Sequence, residues 1–338
     1  IELTGDNHLQ LFIPRGFLHG FIVQSEKAIF HYQCDNFYHK ASEDGVHPLD
    51  PDLNINWGGA NGQLGQSIQQ EVAKQKPNHT EFVFLDLPEF DLCQNESVKT
   101  HIEKIAPDFV INCAAFTAVD LAESESEKAF ALNAEAVGHL AKHCQAEGST
   151  LIHISTDYVF DGKASHPYIE TDPTNPINVY GLSKLKGEQL AMEGCDKVFV
   201  IRTSWLYSAF GNNFVKTMLR LFKEKDSLNI VGDQHGCPTS AHDLAKVCLE
   251  LVAQNITAYG VYHFSNTQPT TWYHFCCEIA KQVQSNIALN PIPTASYPTP
   301  AQRPMYSVMN CGKIETLLNE EIQSWQEALS KVLDQLAK

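Results

Sequence analysis

The sequence predicts an α/β protein with a doubly wound parallel sheet, preceded by a short antiparallel β segment. Three observations predict it. From Phe82 onward, short apolar runs alternate with helical stretches. A glycine-rich loop, "GANGQLG", stands directly before the first of those helices. Residues 1–57 instead show strand-like runs with no helical period between them. Alternation of strands and helices implies a parallel sheet covered on both faces, whereas strands joined by turn residues imply antiparallel pairing.

In chain order, "LQLFIP", "HGFIVQ" and "AIFHYQCD" read as the antiparallel strands of residues 1–57. Three or four such strands bury little on their own and need a partner surface. The boundary is expected near Trp57, with a nucleotide-binding domain over 58–338 whose substrate lobe runs mainly over 205–310. Within that domain "FVFLD" reads as a strand, "ESVKTHIEKIA" as a helix and "FVINCAA" as a strand. "SEKAFALNAEAVGHLAKHCQAEG" reads as one long helix, "TLIHIST" as a strand, "SKLKGEQLAM" as a helix and "KVFVIRTSWLY" as a strand.

Composition narrows the function. The formal charge is −16, from 40 acidic against 24 basic residues, which argues against nucleic-acid or anionic-membrane partners, since both need basic patches. No apolar run approaches the roughly 20 residues of a membrane span. Ten cysteines are scattered without paired spacing, as expected of reduced core residues in a cytoplasmic protein. There is no HExxH and no Cys/His pairing at ligand spacing, so no metal site is expected. The chain starts at Ile1 rather than Met, which leaves room for an upstream part.

Gly59, Gly62 and Gly65 form GxxGxxG. Glycine permits a tight turn and lets backbone N–H groups approach a pyrophosphate, at the positive end of the following helix. The pattern alone also describes a plain turn; its place before a helix in a βαβ alternation makes it a Rossmann-type dinucleotide loop. Asp86, closing "FVFLD", is the candidate for the ribose hydroxyls, with Asp91 as competitor and a solvated strand end as the bland reading. A carboxylate here repels a 2′-phosphate and leans toward NADH or dual use. Ala114 and Ala115 are small enough for close passage of a cofactor, or for tight core packing.

Tyr180 and Lys184 form YxxxK, an i, i+4 pair on one helix face, where an ammonium is expected to lower the phenol's pKa. Such a phenol can protonate a carbonyl oxygen as hydride reaches the carbon. Thr156, just past a buried strand and 24 residues before Tyr180, offers a hydroxyl to the same oxygen.

Residues 58–338 resemble the dTDP-4-dehydrorhamnose reductase family, an extended branch of the short-chain dehydrogenase/reductases. The resemblance rests on "GANGQLGQS", "NCAAFTAVDLAESE", "LNAEAVGHLA", "STDYVFDG", "NPINVYGLSKLKGE", "IRTSWLY", "DQHGCPTSAHDLA" and "QRPMYSVMNCGK". It implies reduction of the 4-keto group of dTDP-4-dehydro-β-L-rhamnose with NADPH or NADH. Thr156, Tyr180 and Lys184 would be catalytic; Gly59, Gly62, Gln63, Leu64, Asp91, Ala114, Ala115 and Thr117 would line the cofactor. Tyr158 and Trp205 would border the sugar nucleotide, and Arg202 and Arg303 either offset its pyrophosphate charge or form structural ion pairs. The resemblance also implies a homodimer, in some members with Mg2+ at the interface.

The first 57 residues, "LFIPRGFLHGFIVQSEKAIFHYQCDNFYHKASEDGVHPLDPDLNINW" in particular, resemble the C-terminal half of dTDP-4-dehydrorhamnose 3,5-epimerase, a cupin-like jelly roll. The reductase's first strand is thus expected to be epimerase text, "LNINW", in which Asn54 and Asn56 alternate with apolar residues. Buried in a two-sided sheet without partners, each amide costs about 1–3 kcal/mol. The segment carrying that family's basic histidine would lie upstream of Ile1, so no epimerase activity is expected from this chain alone, and His19 and Tyr32 are left with packing roles. Two alternatives stay open: a non-catalytic dinucleotide-binding subunit of the same fold, and a sugar-nucleotide epimerase or dehydratase that recycles its cofactor.

Overall fold

The computed structural model describes residues 59–75 and 80–337. The expected antiparallel segment, His19, Tyr32 and the strand before Gly59 lie outside the described residues.

Four parallel strands make the central sheet: β1 (Phe109–Asn112), β2 (Thr150–Thr156), β3 (Val198–Thr203) and a fourth, Gly260–His263, in the order β1, β2, β3, fourth strand. Side-chain alternation sorts each strand into two cores. Leu151, Val198 and Val200 face one side, among Val98, Ile102, Val137 and Leu140. Ile152, Phe199 and Ile201 face the other, among Leu64, Ile68, Leu244 and Leu251. Helices therefore cover both faces. On the first side lie α1 (Asn95–Ile105), α2 (Ala136–Glu147) and α3 (Val179–Gly194); on the second, the helices Gln63–Gln75 and Ala241–Ala253. A third core of Tyr207, Val215, Met218, Phe275, Ile279, Trp325 and Leu329 belongs to the C-terminal lobe. That lobe thus draws on the helix Trp325–Leu336, beyond the 205–310 expected.

Three elements differ from the sequence reading. "FVFLD" forms no ladder among the described residues. In a doubly wound sheet the second strand pairs with the first, and the residues expected to form that first strand lie outside those described. The long helix is interrupted: an α turn at Ser126–Phe130 passes into a π turn at Ala131–Glu135 before α2 begins. The last strand stops at Thr203, and Trp205 takes a left-handed φ of 46°, after which Leu206–Tyr207 pairs with Thr239–Ser240 in the lobe.

Candidate active site

The site grows from the carboxyl end of β2, where open α/β sheets place their ligands. Thr156 is its last residue, and α3 is set against it by capping and by the absence of a side chain. Asn178 Oδ1 accepts the Gly181 N–H at 2.7 Å, and its amide nitrogen donates to Gln302 O at 2.7 Å, tying the helix start to the loop that carries Arg303. A Cβ on Gly181 would stand 2.2 Å from Tyr158 O, so only glycine lets α3 abut this backbone. Tyr180, one residue earlier, is thereby held close enough to Thr156 for that hydroxyl to oppose the rise in its pKa. Its ring meets that of Tyr158 edge-on at 5.8 Å.

Tyr180, Lys184 and Glu188 continue the i, i+4 spacing down one face of α3. Lys184 is 1% exposed and donates to Ile154 O at 2.6 Å. Glu188 is fully buried and receives Arg202 through Nε at 3.0 Å and Nη2 at 2.7 Å, together with the Ser155 hydroxyl. Of the two readings offered for Arg202, the structural ion pair is the one observed: its guanidinium is spent on Glu188 in the core. Arg303 is likewise in a bidentate ion pair, with Asp120, but it lies beside Tyr158 at the site's edge. Sequence reading missed Glu188, although "YGLSKLKGE" carries the third step of the same spacing.

Lys184 meets Ile154 O and His153 rather than the Tyr180 phenol, so the expected tuning has no direct contact in the protein alone. Burial pushes the Tyr180 phenol up to about 12, opposed by its bond to Thr156 and aided by Asp157. Burial pulls Lys184 down to about 8 against the Glu188 carboxylate. In the protein alone, the ammonium is turned to the Ile154 carbonyl rather than to the phenol.

Asp157 was also missed, because it reads as an ordinary turn residue. It is 2% exposed; its Oδ1 accepts the Thr156 hydroxyl at 3.1 Å, and its Oδ2 has no partner. Burial raises this carboxyl to about 7, opposed by the nearby Ser307 hydroxyl and by the hydrogen bond from Thr156.

On the cofactor side, a Cβ on Gly65 would lie 2.0 Å from Gly59 O, and one on Gly59 would lie 3.0 Å from Ala114 N. The loop is thus folded against the helix it opens and against the end of β1, a cradle that admits backbone only. Asp86 Oδ2 accepts the Asn61 N–H at 2.6 Å, which sets this carboxylate on the glycine loop. Asp91 instead accepts the Cys93 N–H at 2.9 Å and caps a turn. Leu64 is core. Gln63 reaches the C-terminal lobe, accepting from Ser208 at 3.1 Å and Asn213 at 2.9 Å. The backbone between Ala114, Ala115 and the exposed Thr117 is held by Asn133 of the π turn, whose side chain bonds both N–H and C=O of Phe116. A π turn at such a place often marks function.

Trp205 stacks on Trp272 at 3.6 Å and packs against Gly236, where a Cβ would meet its ring at 2.6 Å. A left-handed φ at a bulky residue stores strain, here balanced by that aromatic packing. Among the described residues no His, Cys, Asp or Glu cluster can hold a metal ion, and no cysteine is paired. No helix among them is long and apolar enough to cross a membrane.

Comparison with known proteins places this geometry. Residues 53–338 match the RmlD substrate binding domain, and residues 1–81 match dTDP-4-dehydrorhamnose 3,5-epimerase, so the two overlap over 53–81. The dTDP-4-dehydrorhamnose reductase of Aggregatibacter actinomycetemcomitans is 40% identical over 284 residues, which is 81% of this chain and 96% of its own. That of Escherichia coli K12 is 39% identical, covering 84% and 98%. The crystal structure of a reductase from Clostridium acetobutylicum superposes with a TM-score of 0.79 at 38% identity, over 83% of this chain and 98% of that one. The Bacillus anthracis enzyme, solved in complex with NADP, gives 0.77 at 37% identity, over 82% and 97%. With one family model spanning residues 53–338 and relatives covered almost end to end, the chain belongs to the dTDP-4-dehydrorhamnose reductase family.

Proposed function

We propose that the chain reduces the 4-keto group of dTDP-4-dehydro-β-L-rhamnose, giving dTDP-L-rhamnose, with NADPH or NADH. The observation that carries this reading is the convergence of Thr156, Tyr180 and Lys184 at the end of β2, with Ala114 packed on the glycine loop one strand away. The reduced nicotinamide supplies the hydride. Tyr180 stands where a phenol can protonate the oxygen at C4. Thr156 would orient that oxygen, and with Asp157 protonated its hydroxyl proton is free to turn toward substrate. Lys184 holds the far side of the site and would bond the nicotinamide ribose. Asp86, which accepts from the glycine loop at Asn61, would take the adenine-side ribose in preference to Asp91, and its charge would favour NADH. Tyr158 and Trp205 would wall the sugar nucleotide, with Trp272 and Gly236 fixing the indole. The junction between epimerase-like and reductase text would fall at about Trp57, within the stretch that both family matches share.

The test is oxidation of NADPH or NADH by the purified chain supplied with dTDP-4-dehydro-6-deoxyglucose and a separate active epimerase. Turnover that falls by about 10²–10⁴ in Tyr180→Phe is expected. Cofactor binding without oxidation would refute catalysis, and full turnover in Tyr180→Phe would refute the assigned proton donor.

A further inference from the structure

Asn112 closes β1 and stands opposite His153 in the β1–β2 ladder. Both are buried, His153 completely. Asn112 Oδ1 accepts the Ala114 N–H at 3.0 Å. That bond decides which way the amide points, since its NH2 end would oppose the N–H if the group were turned over. The amide nitrogen therefore faces His153 Nδ1, at 3.2 Å. A carboxamide nitrogen only donates, so Nδ1 must be the bare, accepting nitrogen of the ring. In a neutral imidazole the proton then sits on Nε2, and Nε2 lies 3.5 Å from Lys184 Nζ.

An N–H aimed at an ammonium sets donor against donor; aimed at a neutral amine, it meets a lone pair. The ring thus favours the deprotonated lysine. The other ionisable groups around the pair act differently. Glu188, one turn further along α3, favours the ammonium, but Arg202 from β3 and Ser155 from β2 already hold its carboxylate. Tyr180 lies one turn earlier on α3, with Asp157 acting on it from the turn after β2. Burial and the Lys184 charge keep His153 itself well below the ordinary histidine range.

We propose that His153 is a positioning residue for Lys184: locked by Asn112 as the Nε2–H tautomer, it turns a donor toward Nζ, sets the lysine's proton affinity and links it to the Ala114 backbone beside the glycine loop. The significance of Lys184 for this site rests on the reductase reading, whereas the hydrogen-bond chain stands without it.

The test uses the full chain and needs no turnover. Nitrogen-15 NMR of labelled histidine reports which ring nitrogen of His153 carries the proton, and the Lys184 Cε resonance reports the titration of its amine. The unaltered protein should show Nε2–H throughout its stable pH range. In Asn112→Asp the carboxylate still accepts from Ala114 N but can only accept from the ring, so the proton should move to Nδ1. Nε2 then accepts from the ammonium, and the Lys184 midpoint should rise by about one pH unit, a tenfold gain in proton affinity. A Nδ1–H ring in the unaltered protein would overturn the proposal even if the variant does not fold. So would a raised lysine midpoint with the ring still Nε2–H, which the added charge alone explains, or a moved ring proton with an unmoved midpoint. Absence of cofactor oxidation would bear on the reductase reading and leave both resonances readable.

Discussion

At the β2–α3 corner, Lys184, Glu188 and Arg202 are each 4% exposed or less, and bonds from three elements cross between them. At the glycine-loop edge, Asp86 meets Asn61 near the surface, and Val83 and Phe84 beside it are 50% and 41% exposed. Both regions belong to the site proposed to take the cofactor. The loop is shaped by short-range sterics, since a Cβ at 65 would collide with Gly59 O and one at 59 would crowd Ala114 N, and its tolerance to change should depend on backbone room. The corner is shaped by buried polar pairs that hold three elements in register, so losing one partner strands the others.

That contrast can be tested in order of effect. Glu188→Ala leaves the Arg202 guanidinium buried without its partner and should destabilise the protein by about 3–5 kcal/mol, read in urea unfolding. An equal cost for Asp86→Ala would erase the distinction between corner and edge. Gly65→Ala drives a methyl toward Gly59 O; overpacking of this kind costs about 1–3 kcal/mol, and if the strain falls on the loop, cofactor affinity drops by about tenfold to a hundredfold. Titration calorimetry with NADH and NADPH checks it, and unchanged binding would show that the loop yields.

The pH effect is smaller and belongs to the corner. Asp157 has its folded-state pKa raised to about 7 by burial, above the roughly 3.9 of an unfolded aspartate. The folded state therefore binds the proton more tightly, so stability is greatest below the unfolded pKa and is lost as pH rises through about 7. Asp157→Asn should flatten the fall in melting temperature between pH 5 and pH 8. An unchanged slope would place the titrating group elsewhere. The smallest effect is expected at the edge: Asp86→Asn removes a charge that repels a 2′-phosphate and should move the NADPH-to-NADH preference several-fold toward NADPH, with little change in stability.

Much of this site was legible as spacing. GxxGxxG before a helix, YxxxK on a helix face and a threonine closing a buried strand each report local geometry, and the structure gathers Thr156, Tyr180 and Lys184 at one strand end. What stayed hidden was the partner of each charge. Arg202 looks alike in sequence whether it meets a phosphate or Glu188, and Asp157 looks like a turn residue until its burial is known. "FVFLD" has strand composition, but a strand exists through its neighbour, and that neighbour lies among residues not described.

By itself the sequence determined the α/β class, the alternation that places helices on both faces of the sheet, and the three residues proposed for the chemistry, Thr156, Tyr180 and Lys184, because those depend on periods of 2 and 3.6 residues and on side-chain type. Only the tertiary structure decided that Lys184 turns to Ile154 O and His153, that Glu188 takes Arg202 into the core, and that Asp157 is buried beside the Thr156 hydroxyl. Hydrogen-bond partners and desolvation depend on what lies a few ångströms away in space, and here the partners of Glu188 and Lys184 are 14 to 31 residues away along the chain.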